Sequence, residues 1–217
     1  MRKGIILAII TICSLVSIAQ KLPSNVSLVY DVVMTTASHP ELNQKTLLNI
    51  FLSPTQSRSE LISKLGTEVA LFDNNSGKGN IIKEYGTQKL LITLTRDNWI
   101  SKNIRFQNLK FSSENEVKTI GSYICNKAVA VLSDGYHLTV YFTSDIVLPN
   151  NQYQYALPGI KGLPVQYELS TANGLITYQL KAVSFDAIAN LLFQTPQAGK
   201  YRIMSYEEAQ HSKAGEK

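Results

Sequence analysis

The sequence predicts a mainly β protein built on an antiparallel sheet. From residue 26 to residue 203, apolar and polar residues alternate with the two-residue period of strands that bury one face. Turn-forming residues recur between these stretches, and apolar residues at helical spacing are scarce. These observations favour a meander of antiparallel strands, because parallel strands need a long crossover, usually a helix, between them.

The first half of the chain contains six predicted strands. The first runs from Val26 to Met34 and has one apolar face. The second runs from Thr46 to Leu52 and ends before Pro54, which has no amide hydrogen to donate to a neighbouring strand. Four shorter strands are predicted at Arg58–Ser63, Glu68–Asp73, Ile81–Tyr85 and Lys89–Thr95.

The first of two hairpins in the second half is centred on Asp134-Gly135, a strong signal for a two-residue turn. A turn at these two residues pairs Val129 with Val140. It places Cys125 on the same, mostly apolar face, so we expect a buried, unreactive thiol there rather than a nucleophile.

The second hairpin is centred on Asn173-Gly174, which has the same turn chemistry. This turn pairs Tyr167 with Leu180 and separates an apolar face from a polar one. The predicted core face carries Tyr167, Leu169, Tyr178 and Leu180. The predicted solvent face carries Glu168 and, diagonal to it, Lys181.

Three short helices are predicted. Asp97–Ser101 contains the only tryptophan, Trp99, in a single helical turn. Ala187–Phe193 has apolar residues at helical spacing after Asp186, a residue type that caps helix N-termini. Near the end of the chain, Ser205 and Glu208 have the spacing of a capping box, which predicts a terminal helix.

The N-terminus predicts export from the cytoplasm. Arg2 and Lys3 precede an apolar run that ends in the small-residue pattern before Gln20, as in a secretory signal peptide, and the run is too short to span a membrane. Cys13 lies inside the run rather than at its end, which favours cleavage before Gln20 over lipid attachment. We therefore expect a signal peptide at 1–19, one domain at 20–208, a polar tail at 209–217, and a periplasmic or secreted protein.

Composition excludes several classes of function. Without Cys13 the chain has one cysteine, so no intrachain disulfide is expected. The formal net charge is +5, of which Arg2 and Lys3 supply two, and Lys and Arg do not cluster with aromatic residues, so nucleic acid is not an expected partner. The three histidines lack metal-ligand spacing, and serines and aspartates have no base beside them. We expect no metal, no cofactor and no catalytic residues.

Aromatic residues provide the remaining signal of function. Tyrosines are concentrated in the C-terminal half, where they have two interpretations: tyrosine is a good strand former, and it also suits a groove for an apolar or mixed ligand. The candidate ligand-binding residues are Tyr141, Tyr153, Tyr155 and Trp99.

Three segments resemble a known group of proteins: residues 118–129 around Cys125, residues 141–149, and residues 159–168 with Gly162-Leu163-Pro164. Together they are similar to the GLPGLI-type and related periplasmic families of unknown function. The resemblance implies a half-barrel like that of the lipoprotein carrier LolA, in which a strongly curved antiparallel sheet wraps a few short helices around an apolar cavity. It implies no catalytic residues.

Three functions remain open from the sequence. The first is a non-enzymatic binding or carrier protein for a lipid-like or other apolar ligand, which needs an unfilled cavity. The second is a cell-envelope module that docks a protein partner, which needs an exposed apolar patch. The third is a hydrolase, which needs converging polar groups with shifted pKa values.

Overall fold

The computed structural model describes residues 24–36, 45–150 and 157–214, and within these residues the chain forms twelve strands and two α-helices. The strands are β1 (Val26–Thr35), β2 (Lys45–Leu52), β3 (Gln56–Ser63), β4 (Gly66–Asp73), β5 (Gly79–Tyr85), β6 (Gln88–Leu94), β7 (Ser112–Ile120), β8 (Tyr123–Val131), β9 (His137–Thr143), β10 (Leu163–Thr171), β11 (Gly174–Ser184) and β12 (Arg202–Ser205). The helices are α1 (Arg96–Lys102) and α2 (Tyr206–Ala214), with 3₁₀ turns at Ile104–Phe106, Asn190–Phe193 and Ala198–Lys200.

All twelve strands belong to one sheet, in the order β12-β6-β5-β4-β3-β2-β1-β11-β10-β9-β8-β7. Two antiparallel meanders, β1–β6 and β7–β11, are joined where β1 pairs with β11, and only the pairing of β12 with β6 is parallel. The predicted fold class, a curved antiparallel sheet with few short helices, is confirmed. The predicted signal peptide lies outside the described residues, and the domain boundaries stay a prediction.

Alternation along β1 shows which side of the sheet carries the largest cluster of buried residues. Leu28, Tyr30 and Val32 are buried, whereas the residues between them are only partly covered. We call the face that carries Tyr30, with Ile50 of β2 and Tyr167 of β10, the inner face, and the opposite face the outer face. The segment 96–106, with α1 and the turn that follows it, covers part of the inner face.

Strands β8 and β9 form the first predicted hairpin, but the predicted register is wrong by one residue. Val140 pairs with Ala128 and not with Val129. A shift of one residue exchanges the two faces of a strand. The buried face therefore carries Ala128 and Ala130 with Val140, and Val131 is exposed.

The turn of this hairpin explains the error. Leu132 N donates to Tyr136 O over 2.8 Å, and Gly135 N donates to Leu132 O over 2.9 Å. Gly135 has a φ of 82°, whereas Asp134 is not among the residues with positive φ that a type I′ turn at Asp134-Gly135 would require. The loop consequently contains three residues, one more than predicted, with the glycine in the left-handed region.

Strands β10 and β11 form the second predicted hairpin, with a register shifted by two residues. Tyr167 pairs with Tyr178 rather than with Leu180, because the turn residues are Ala172 and Asn173. A shift of two preserves the faces, so the predicted core face is confirmed: Tyr167, Leu169, Tyr178 and Leu180 all pack into the inner core.

The prediction that Glu168 lies diagonal to Lys181 on the solvent face is wrong in its geometry, although Lys181 is solvent-exposed as predicted. Lys181 is exposed, but its Nζ lies 3.5 Å from Oδ2 of Asp31. It is the extra residue of a β-bulge between β11 and β1. Glu168 is half-buried, and its Oε1 accepts a hydrogen bond from Nε2 of Gln166 at 2.7 Å.

The predicted helix at Ala187–Phe193 is also wrong in extent. Only Asn190–Phe193 is helical, as a single 3₁₀ turn without a side-chain cap. The Asp186 carboxylate accepts a hydrogen bond from the hydroxyl of Ser184 at 2.6 Å instead of capping a helix. The local side-chain bond has displaced the cap that the sequence pattern predicts.

The other two helix predictions are confirmed. The helix α1 contains Trp99, as expected. At the start of α2, Glu208 N donates to the Ser205 hydroxyl oxygen at 3.1 Å, and Ser205 N donates to Oε2 of Glu208 at 2.6 Å, which is the predicted capping box. Neither described helix is long and apolar enough to cross a membrane.

A long connection crosses the outer face between β11 and β12. Arg58 of β3 donates to the carbonyl oxygen of Leu192 at 3.1 Å, and Asn80 of β5 donates to the Thr195 hydroxyl at 2.8 Å. This connection carries the chain from the centre of the sheet to its edge, where β12 pairs in parallel with β6.

Candidate functional site

The inner face contains a cavity of about 230 Å³ between the sheet and the segment that covers it. Strands β1 to β4 and β10 and β11 supply its floor and sides, and α1, Phe106 and Leu157 lie over it. The curvature of the sheet therefore brings together residues that are far apart in the sequence. The cavity lies between two groups of aromatic rings.

Three tyrosines from neighbouring strands form the first group. The rings of Tyr167 and Tyr178 stack with centroids 4.2 Å apart and an interplanar angle of 9°. Tyr30 packs edge-on against Tyr167 with centroids 5.9 Å apart. The hydroxyl of Tyr30 donates to the carbonyl oxygen of Pro164 at 2.7 Å, which satisfies its polar end inside the core.

The second group consists of Phe72 of β4 and Trp99 of α1, whose rings meet edge to face with centroids 5.4 Å apart. Capping fixes the position of the helix that carries Trp99. Asn98 N donates to the Thr95 hydroxyl oxygen at 3.2 Å, and Thr95 N donates to Oδ1 of Asn98 at 2.9 Å. At the other end, Nδ2 of Asn103 donates to the carbonyl oxygen of Trp99 at 2.8 Å.

Polar groups are a minority of the cavity lining. They include Ser57, which is buried, and Ser59, Lys102 and Asn103. Burial raises the pKa of the Tyr178 hydroxyl above its usual value, so this group stays neutral at physiological pH. Within the described residues, the lining contains no histidine, cysteine or carboxylate. The described lining is therefore mostly apolar and aromatic.

The structure places the four candidate residues in different environments. Trp99 is buried and lines the cavity. Tyr141 is on the outer face, opposite Gln166, and does not line it. Tyr153 and Tyr155 lie outside the described residues. Whether any of the four binds a ligand stays a prediction.

Sequence reasoning missed five aromatic residues of the cavity as site residues: Tyr30, Phe72, Phe106, and the stacked pair of Tyr167 and Tyr178. The sequence did place the stacked pair on the core face of the second hairpin, but as core residues and not as site residues. The missing information was the pairing of β1 with β11, which brings Tyr30 beside them. No local pattern reports a contact between strands so distant in sequence.

Tyr141 instead belongs to a charged network on the outer surface of β7 to β9. Lys127 Nζ lies 2.8 Å from Glu116 and 2.9 Å from Glu114, and the Tyr141 hydroxyl donates to Glu116 at 3.0 Å. The hydrogen bond from Lys127, and then that from Tyr141, lowers the pKa of the Glu116 carboxyl. Burial, and then the bond to Glu116, raises the pKa of Tyr141. Lys127 thus lies between two exposed carboxylates, while Lys127 and Tyr141 are themselves half-buried.

The described residues contain no group of three or more histidine, cysteine or acidic side chains that could hold a metal ion. Cys125 is fully buried in the inner core cluster and forms no disulfide with another described residue. His137 is exposed, and its backbone N–H and carbonyl both bond to the hydroxyl of Ser170.

Solved structures with similar folds exist. The chain is similar to an uncharacterised conserved protein from Thermus thermophilus, with a TM-score of 0.53 and 8% identity over 85% of this chain and 91% of that one. It is also similar to PNGF-II, with a TM-score of 0.50 and 14% identity over 85% of this chain and 32% of that one, so it spans about a third of PNGF-II. At such identities the likeness concerns the fold alone.

A weaker similarity, with a TM-score of 0.34 and 9% identity over 75% of this chain and 87% of that one, relates the chain to LprF from Mycobacterium bovis. A similarity this weak supports no conclusion about this protein. No protein-family model and no curated protein match the sequence, so the resemblance to the GLPGLI-type families is not confirmed. Fold and site together define an open, curved β-sheet protein with a small aromatic cavity.

Proposed function

We propose that the protein is a non-enzymatic binding or carrier protein of the periplasm or the extracellular space, which holds the apolar part of a lipid-like ligand in the inner cavity. The observation that carries this proposal is the cavity itself. The side chains of the inner face and the covering segment leave about 230 Å³ unfilled between two aromatic groups. Because protein interiors are otherwise packed to the density of organic crystals, an open space of this size supports a binding role.

The size of the cavity limits the ligand. Sites for drug-sized molecules have volumes of roughly 300–1,000 Å³, and this one is smaller. We infer that the cavity takes one narrow apolar group, such as the end of a single acyl chain or one aromatic ring. The rest of the ligand then lies outside the cavity.

A hydrolase is less well supported. Acyl or glycosyl transfer needs a nucleophile or an activated water with a base beside it. Ser57 and Ser59 line the cavity, but its described lining supplies neither histidine nor carboxylate to activate them.

A docking module of the cell envelope is the second candidate. Exposed apolar side chains on β7 and β8 favour it, namely Val117, Ile124 and Val131, each with more than half of its surface in solvent. Such residues on an edge hairpin are a common feature of protein contact sites.

Titration with the neutral apolar fluorophore N-phenyl-1-naphthylamine tests the binding proposal. We expect one saturable site, competed by lipid extract. Ser59→Phe places a ring in the cavity and should weaken binding about tenfold or more, the effect of losing roughly 1.4 kcal/mol. Ser112→Phe makes the same change on the exposed edge strand β7 and should leave binding unchanged.

Weak binding without saturation, or equal loss in the two variants, would contradict the proposal and favour the docking module. Mass spectrometry of an organic extract of the protein from its native envelope would identify a retained ligand. Both variants should first show the unfolding midpoint of the unsubstituted protein.

A further inference from the structure

A second concave site lies at the edge of the sheet farthest from β7, where β5, β6 and β12 meet α2. This groove has a volume of about 550 Å³, more than twice that of the inner cavity, and lies in the range of small-molecule sites. It shares no lining residue with the inner cavity. We call it the edge groove.

The floor of the edge groove is apolar. Leu90 and Ile92 of β6 lie beside Met204 of β12, since Met204 pairs with Ile92 in the parallel ladder. Ala209 of α2 packs against Met204 and closes one side. The capping box at Ser205 fixes the start of α2 and therefore the width of the groove.

The rim of the groove is basic. Its described lining includes four cationic side chains and no carboxylate: Lys83, Lys89, Lys200 and Arg202. Arg202 and Lys83 flank Leu90 from the two neighbouring strands, because Leu90 pairs with both. A cation thus lies on each side of the apolar floor.

Two of the four cations are already compensated. Lys83 Nζ lies 2.6 Å from Glu68, and Lys89 Nζ lies 3.8 Å from Glu84. Glu207 and Glu208, at the start of α2, accept hydrogen bonds from Asn98 and from the Ser205 backbone. The ion pairs of the described residues leave Lys200 and Arg202 without a carboxylate.

We propose that the edge groove binds an anionic amphiphile with a single apolar chain. The chain lies along Leu90, Ile92 and Met204, and the anionic group meets Arg202 and Lys200. Arginine suits this role because its planar guanidinium binds a carboxylate or phosphate through two parallel hydrogen bonds. This site is independent of the inner cavity, and its existence does not depend on the function proposed for that cavity.

Isothermal titration calorimetry of the exported protein with dodecyl phosphate, below its micelle concentration, tests the proposal. Dodecyl maltoside, which has the same chain and no charge, and inorganic phosphate, which has no chain, are the two comparison ligands. We expect saturable binding of dodecyl phosphate at least about tenfold tighter than that of either, with affinity falling as salt is added.

The double variant Lys200→Glu/Arg202→Glu should lose at least about tenfold in affinity for dodecyl phosphate. Lys161→Glu, at an exposed lysine far from the groove, is the matched control and should bind as the unsubstituted protein does. If the double variant does not fold, Arg202→Gln provides the same test with a smaller change of charge. Ser59→Phe should retain dodecyl phosphate binding.

Four results would overturn the proposal. Equal affinities of the double variant and Lys161→Glu would show that the groove does not hold the anion. Equal binding of dodecyl maltoside would remove the role of charge, and equal binding of inorganic phosphate would remove the role of the apolar floor. Loss of dodecyl phosphate binding in Ser59→Phe would place the probe in the inner cavity.

Discussion

Cys125 is fully buried among residues of the inner core cluster, including Leu163 and Val165. Burial, and then the nearby negative charge of Asp145, raises the pKa of its thiol. The thiolate is the reactive form of cysteine. Both the lack of access and the raised pKa therefore make the native thiol unreactive.

We expect a thiol reagent at pH 8 to label Cys125 slowly in the native protein and rapidly in denaturant. Because the folded pKa is higher than the unfolded one, the contribution of this group to the free energy of unfolding is full below about pH 8.5 and declines as pH rises towards the folded pKa. Labelling followed by mass spectrometry measures the rates. Fast labelling of native protein would contradict the burial.

The register error in the first hairpin can be traced to a single turn residue. The turn at Gly135 has one more residue than its Asp-Gly pair predicts, and the register of β8 against β9 changed with it. The Asp-Gly dipeptide predicts that a turn forms but not the length of the loop, because two- and three-residue loops share this signal. Cys125 is nevertheless buried as expected, although by different neighbours.

The hairpin of β10 and β11 has an apolar inner face and a polar outer face. Leu180 packs in the inner core, and Glu168 points to the outer side, where it meets Gln166. Its faces could be predicted from alternation, and a register shift of two residues did not change them. The bulge at Lys181 could not be predicted from the sequence of the hairpin, because it forms where β11 pairs with β1, from another part of the chain.

We expect Leu180→Ala to lower the free energy of unfolding by about 2–5 kcal/mol, as a truncation in a packed core does. Glu168→Ala should lower it by about 1 kcal/mol or less, because its hydrogen bond is at the surface of the sheet. Denaturant unfolding of the two variants compares these losses. Similar losses would mean that the outer face of the hairpin is covered as well.

At the scale of the whole molecule, one continuous sheet forms both concave sites. The inner cavity depends on the contact of β1 with β11, and the edge groove on the long connection that delivers β12 to β6. With the predicted export, the ligands proposed for the two sites would be met outside the cytoplasm. The signal peptide that implies export stays a prediction.

We expect the mature protein to begin at Gln20 and to be recovered in the soluble fraction. The small residues Ser17 and Ala19 before that position are the pattern that signal peptidase cleaves. Intact-mass spectrometry of the exported protein gives the N-terminus directly. A diacylglycerol adduct on Cys13, or recovery only from membranes, would show lipid attachment instead.

The sequence by itself determined the features that arise from neighbouring residues. Its two-residue period predicted β1 to β6, its turn dipeptides predicted the two hairpins of β8 to β11, and its capping box predicted α2, because each is decided within a few residues of chain. Strands β7 and β12 were not predicted. Of the candidate ligand-binding residues, Trp99 lines the cavity, and its role in binding stays a prediction.

The tertiary structure alone decided the two sites. Tyr30 and the carbonyl of Pro164, which it binds, are 134 positions apart, and Arg202 meets the groove only because β12 joins β6. Such contacts depend on which strands pair across the whole sheet, and that choice is made by the free energy of the complete core rather than by any local pattern. The cavity is what remains unfilled after those pairings are fixed.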